Sequence, residues 1–513
     1  MRIISPIKSL KAAAAIAAGA LIPLSFAPYD KLIFSFIGLS IFAWLMLQPI
    51  KKSELFLTAF LFALGLFGVG ISWIYVSIND YGGMPPIFAF ALMAIFVAFL
   101  AVIFALPWAL LKCIPRSPII KIFCFAAMWL LVEWIRGWFL TGFPWLYIGH
   151  AHLHSPLAGL APIVGALGIG FVQAAICATL ALSIADLGKT SSLRTACLAA
   201  IILFAASPLL IPIQWTEPLE PLEVTLIQPN IPLEDKWNPA LRQLNIQKLI
   251  DLSEGHWDSD ILVWPEAALP LATLGEEPML AELSGLIAPE SSLVTGRLVY
   301  DPYEQRYTNN LISLGNGSGE YSKRRLVPFG EYVPLEDQLR GLINFFNLPM
   351  SVISQGDTDQ SLLNAGPIKI AVAICYEIAY AGPVAADSGE ANIITTVSND
   401  TWFGNSIGPH QHFQLARMRA LENSKPVIRS TNNGITGLID HHGQVIATTE
   451  QFAARALTDI IEPQSGSTFF SRWGHWPTVI LSLMIIAISL VSKNREQLKS
   501  RLAQILLKNQ SQP

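Results

Sequence analysis

Apolar residues crowd into eight long stretches, at 12–26, 32–47, 55–76, 87–111, 119–140, 157–185, 196–213 and 476–491. Most approach the roughly 20 residues that an α-helix needs to cross a bilayer, so eight membrane helices are predicted. Between the seventh and eighth the pattern changes. Short β-type runs at 224–228, 261–264, 292–295, 310–314, 368–374, 393–398, 427–430 and 436–440 alternate there with helical ones. Several are continuously apolar, the pattern of strands buried on both faces of a helix-covered sheet. The clearest helix of this part is 408–423, stopped by Lys425-Pro426. The chain thus divides into a seven-helix membrane region (1–213), one α/β domain (214–475), an eighth helix (476–492) and a basic tail (493–513).

Composition agrees: the 513 residues are 52% hydrophobic and only 14% charged, against about 25% charged in soluble domains. A net charge of −4 gives no sign of the strongly basic face that nucleic-acid binding requires. There is no zinc-type Cys/His spacing and no phosphate-binding loop. Arg2, Lys8 and Lys11 before the first apolar core also fit a cleaved leader, but no small-residue cleavage pattern follows Phe26 and another apolar stretch starts at once.

Lys and Arg set the orientation, because cytoplasmic loops carry them in excess. One side holds Arg2, Lys8, Lys11, Lys51, Lys52, Lys112, Arg116, Lys121, Lys189, Arg194, Lys493, Arg495, Lys499, Arg501 and Lys508, whereas the short loops opposite hold only Lys31 and Arg136. Both termini are therefore expected in the cytoplasm and the α/β domain outside it, which in a bacterium is the periplasm.

Two features carry open readings. Glu133 and Arg136, three apart, precede the aromatic stretch Trp138 to Tyr147; an ion pair beside an interfacial aromatic belt is the plain reading, and a loop that guides lipid toward the outer domain is the sharper one. His410 and His412 lie two apart on the predicted helix. They do not share a face, so they are read as ordinary polar helix residues and not as a metal pair.

Four of the five cysteines lie in or beside membrane stretches, leaving Cys375 alone in the outer domain. An unpaired thiol in an oxidising compartment invites a functional reason, although a buried structural thiol is the plain alternative. Cys375 ends the apolar run 368–374, where a nucleophile is held rigidly. It needs a base, and a carboxylate serves if its site raises its pKa toward neutrality. Glu266 ends another buried run after Pro265 and is the best candidate. Lys323 could stabilise both a thiolate and an oxyanion, but it adjoins Arg324 and Arg325, and sequence order does not choose among them.

Trp264-Pro265-Glu266, the Tyr-x-Lys of Tyr321 to Lys323, and Cys375-Tyr376-Glu377 resemble the motifs of the carbon-nitrogen hydrolase, or nitrilase, superfamily. Its α-β-β-α sandwich carries a Glu-Lys-Cys triad. Such a domain between seven membrane helices and an eighth resembles the apolipoprotein N-acyltransferase family in particular, as do Glu133-Trp134 through Trp145, Gln228-Pro229-Asn230 with Lys236-Trp237, Leu326 through Pro334, and 398–404. The resemblance implies Glu266 as base, Lys323 as oxyanion stabiliser and Cys375 as nucleophile. It also implies Glu331 as a second glutamate that orients the lysine and base, with Trp237, Tyr376 and Glu377 needed around the site.

What the resemblance implies about the reaction is acyl transfer from a membrane phospholipid to Cys375 as a thioester, and from there to the α-amine of a diacylglyceryl-cysteine at the start of an apolipoprotein. It implies no cofactor, a bacterial inner-membrane location and, as expected here, a monomer. The rival readings are a membrane-tethered amidase or nitrilase and a transporter with an appended binding domain. A single anchor would serve the first, and near absence of charge in the helices counts against the second.

Overall fold

The computed structural model describes residues 6–48, 51–115, 117–185, 191–272, 277–301, 306–328, 330–332 and 353–510. Arg2, Arg116 and Lys189 of the basic set, and Phe329, Val333 and Pro334 of one motif stretch, lie outside the described residues. The chain forms two compact units, one of 1–72, 90–212 and 475–513, the other of 73–89 and 213–474.

Helices lie along all eight apolar stretches, almost wholly within the first unit. Among the described residues, six are long and apolar enough to cross a membrane: Lys52–Gly70, Pro86–Cys113, Pro118–Arg136, Pro156–Ala185, Ser191–Leu210 and Trp476–Asn494. Ser9–Ser25 and Ile33–Leu47 are shorter apolar helices. Glycines let backbones touch: a Cβ at Gly19 would lie 1.9 Å from Phe62 O, and one at Gly65 would lie 2.1 Å from Ile16 O. Close approach at small residues is the usual basis of packing where lipid removes the hydrophobic driving force. Glu133 and Arg136 are both buried and grip the chain that follows their helix. Arg136 donates to the carbonyls of Phe143 and Trp145, and Glu133 Oε1 accepts the Ile148 N–H at 2.8 Å.

Two helices depart from the sequence reading. The third ends at Gly70, since Gly68 and Gly70 are poor helix formers in its last turn. The apolar residues beyond belong to the other unit, where Trp73 meets Phe403 edge-on at 4.7 Å and Ser77 Oγ donates to Trp402 O at 2.8 Å. The last helix runs through the basic tail, Trp476–Gln510.

In the second unit all eight predicted runs are strands. One sheet has the order Arg455–Ile461, Leu222–Gln228, Ile261–Val263, Ser292–Asp301, Arg306–Gly315, Glu320–Ser322, with Leu269–Ala272 beside Ser292–Asp301. The other runs Val445–Thr448, Gly437–Ile439, Val427–Thr431, Ile393–Ser398, Ile368–Ile374, Leu363–Ala365, Gly317–Ser318. Their facing sides share one core, with Val224, Leu226, Val263 and Val294 against Ile370, Val372, Ile393 and Ile428. The outer face of the first sheet packs Leu262, Trp264 and Leu293 against Ile246, Leu249 and Leu283 of helices Arg242–Ser253 and Glu277–Leu286. Ala381–Ser388 and Gly408–Asn423 pack on strands of the second. Two sheets face to face between helices form the α-β-β-α sandwich.

Candidate active site

Glu266 and Cys375 leave strands of different sheets at the same end of the sandwich. After Ile261–Val263 the chain gives one more ladder bond, Trp264 N–H to Val294 O at 2.9 Å, before Pro265 removes the next donor. Cys375 follows Ile368–Ile374 and takes φ +53, the left-handed region that non-glycine residues enter only when their surroundings hold them there. Part of that hold is visible: His412 Nε2 lies 3.0 Å from Cys375 O, while Nδ1 lies 3.0 Å from Asp400 Oδ1 and 3.1 Å from Arg429 Nη2. His412 is therefore more than a polar helix residue. Its two-residue spacing from His410 concealed a bond to chain 37 residues away.

Lys323 settles its ambiguity with Arg324 by where it points. Its ammonium donates to Glu331 Oε1 at 2.7 Å and Glu266 Oε1 at 3.2 Å, with the side chain 1% exposed. Arg324 turns elsewhere, toward Asp387, Tyr321 Oη and Thr358 O. Glu331 is held in turn by the Val327 N–H on its other oxygen. Glu377 ties the lysine segment to the cysteine strand, because its carboxylate accepts the N–H groups of Arg324, Arg325 and Ile374 and the Tyr321 hydroxyl. Tyr376 is buried edge-on against Tyr380. Trp237 adjoins Lys236, whose ammonium lies 5.9 Å from its ring.

Glu266 has two further partners that the sequence reading missed. Asn309 Nδ2 donates to Glu266 Oε1 and the Asn399 N–H to Oε2, each at 2.8 Å. A strand-interior Asn carries no motif signal. Asn399 acts through its backbone, so only its place in the matching 398–404 stretch marked it.

Electrostatics depart from the expected raised carboxyl. Burial works to raise the Glu266 pKa, but Lys323, the Asn309 amide and Lys236 outweigh it and hold it below its ordinary value. Burial pushes the Lys323 ammonium down, yet Glu266 and Glu331 drive it well above the usual lysine range. Cys375 keeps some exposed surface, but desolvation of its sulfur and then the Glu266 charge push the thiol up to about 12. These groups titrate together. If the thiol proton moves to Glu266, the charge that opposes the thiolate vanishes and Lys323 is left facing the sulfur. The constellation is thus suited to a thiol nucleophile, a carboxylate base and a fixed cation for an oxyanion. No cluster of potential metal ligands occurs among the described residues.

The apolipoprotein N-acyltransferase N-terminal domain model matches residues 18–179, and the carbon-nitrogen hydrolase model matches 223–465. The chain is 40% identical over 492 residues to the apolipoprotein N-acyltransferase of Photobacterium profundum, covering 93% of this chain and 94% of that one. It is 41% identical over 493 residues to that of Pseudomonas putida, covering 93% and 96%. The chain belongs to the apolipoprotein N-acyltransferase family. It is an acyltransferase of the carbon-nitrogen hydrolase superfamily, with the family's N-terminal domain at 18–179 and the hydrolase domain at 223–465. The family accounts for why a hydrolase-type sandwich shares a chain with membrane-length helices.

Proposed function

We propose that the protein transfers a fatty acyl group from a membrane phospholipid, through a thioester on Cys375, to the α-amine of an apolipoprotein's N-terminal diacylglyceryl-cysteine. The observation that carries this reading is the meeting of Glu266, Lys323 and Cys375 at one buried site in a chain whose described residues include six membrane-length apolar helices.

In the first half-reaction Glu266 takes the Cys375 proton, the thiolate attacks an ester carbonyl, and Lys323 holds the oxyanion. Collapse expels the lysophospholipid oxygen, which takes the proton back from Glu266, and a thioester remains. In the second, the lipoprotein amine attacks the thioester and Glu266 accepts its proton. Sulfur leaves, is reprotonated, and an amide is released. No nucleotide is needed, because thioester to amide is strongly downhill. Glu331 orients Lys323, and Glu377 fixes the lysine segment against the cysteine strand; Tyr376 and Trp237 shape the surroundings.

Eight spans, both termini in the cytoplasm and the sandwich in the periplasm complete the reading, supported by the asymmetry of Lys and Arg. Substrates anchored in one leaflet reach such a site by a two-dimensional search. The enzyme acts as a monomer at the bacterial inner membrane. The test is a mass spectrum of the purified protein after incubation with phospholipid alone. One fatty acyl mass on the Cys375 peptide supports the reading, and transfer that proceeds with no such adduct overturns it.

A further inference from the structure

Lys236 ends the short helical turn Leu233–Lys236, and its side chain is buried. Its ammonium donates to the main-chain carbonyl of Glu266 at 2.7 Å. Among the described residues it has no carboxylate oxygen within ion-pair distance; the site's ion pairs go to Lys323. An ammonium buried with one neutral acceptor is an expensive way to make a hydrogen bond, since desolvating an ion costs far more than the bond returns. A neutral amide would hold the same carbonyl more cheaply. The position of the charge therefore calls for a reason.

The charge count around the base supplies one. Glu266 and Glu331 are two carboxylates served by one ammonium, that of Lys323. The other buried acids nearby have their own partners: Asp400 has Arg429 and His412, and Glu377 has three N–H groups and a phenol. Glu234 and Asp235 lie on the same turn as Lys236. Burial lowers the Lys236 pKa to about 8, while Glu266 and Cys375 act in the opposite direction. Counting Lys236, the core of the site has two positive and two negative charges. Moving a proton from Cys375 to Glu266 carries one negative charge from carboxylate to sulfur and leaves that balance intact. Without the Lys236 charge, the same transfer would run in a buried site with a net charge of about −1.

We propose that Lys236 is a positioning residue of the acyl-transfer site. Its buried ammonium fixes the Glu266 main chain and balances the second carboxylate, so that negative charge can pass from Glu266 to the Cys375 sulfur at neutral pH. This rests on Glu266 and Cys375 being base and nucleophile, as read above.

The test uses the full-length enzyme in detergent, with variants Lys236→Gln, Lys236→Met, Lys236→Arg and Cys375→Ala. Lys236→Gln retains a donor for the Glu266 carbonyl and removes only the charge, which separates the two parts of the role. Iodoacetamide labelling of the Cys375 peptide is followed by mass spectrometry across pH, alongside acyl-adduct formation from phospholipid. Lys236→Gln and Lys236→Met should move the labelling profile at least one unit to the alkaline side, slowing labelling and acylation near pH 7 about tenfold. Lys236→Arg should restore the profile. A wild-type profile in Lys236→Gln overturns the proposal, as does lost acylation with an unshifted profile. Cys375→Ala that still forms the adduct overturns the triad reading instead, whatever the Lys236 variants do.

Discussion

His412 Nε2 reaches the main-chain carbonyl of Cys375 at 3.0 Å, so a helix in the second half of the domain clamps the backbone of the proposed nucleophile in its left-handed turn. His412→Leu leaves that carbonyl without its donor and should slow acyl-adduct formation at least tenfold. His412→Gln, which can still donate, should recover much of the rate. Equal losses in both variants, measured by adduct accumulation, would assign the effect to packing alone.

Lys323→Ala should reduce acyl transfer by about a hundredfold or more, the usual result of removing an oxyanion donor. Arg324→Ala should retain transfer within about tenfold, because Arg324 is committed to Asp387, Tyr321 and Thr358 and not to the base. Comparable losses in steady-state turnover would show that the basic run acts collectively.

The acylation half-reaction should show a wide pH plateau. Lys323, the Asn309 amide and Lys236 hold Glu266 below its ordinary value, so it stays anionic throughout the neutral range and the acid limb should lie below the usual carboxylate range. On the alkaline side Lys236, near 8, loses its charge first, and the rate should fall there. Single-turnover adduct formation across pH reads both limbs. Lys236→Arg should abolish the alkaline fall, and an unchanged fall in that variant contradicts its assignment to Lys236.

Asp400 contributes to stability through charge. Burial opposes ionisation, yet Arg429 and His412 hold the carboxyl far below the usual carboxylate range. Its contribution should be complete above the unfolded value near 4 and decline as pH falls from there toward the depressed folded value. Asp400→Asn should destabilise by roughly 3–5 kcal/mol at pH 7 by leaving Arg429 unpaired. Thermal melts of variant and wild type should converge as the pH drops below about 4; a gap that is constant with pH would count against the ionic account.

The eight apolar stretches and eight buried strands were legible because each has a long, one-sided compositional signal. Arg455–Ile461 and Val445–Thr448 were not, because as outer strands they are mostly exposed or half-buried and carry polar residues. Glu266 and Cys375 showed themselves as polar residues that end buried apolar runs, whereas Lys323 sat in a basic run and only family resemblance separated it from Arg324. Asn309, Asn399 and His412 stayed hidden because their roles are long-range hydrogen bonds, two of them involving the main chain. Nothing local in a sequence records such pairings.

The segment 73–89 joins two apolar helices in the chain, yet it belongs to the body of the α/β unit. A catalytic fragment cut at 213 and 474 is therefore missing part of itself. Freed of Trp73, Val76, Ser77 and Tyr81, the loop at Trp402, Phe403 and Gly404 loses the rings and hydroxyl that now cover it, directly beside the Asn399 amide that holds Glu266. Such a fragment should be prone to self-association and poorly active for want of a lining, and supplying 73–89 through a peptide linker is the direct repair.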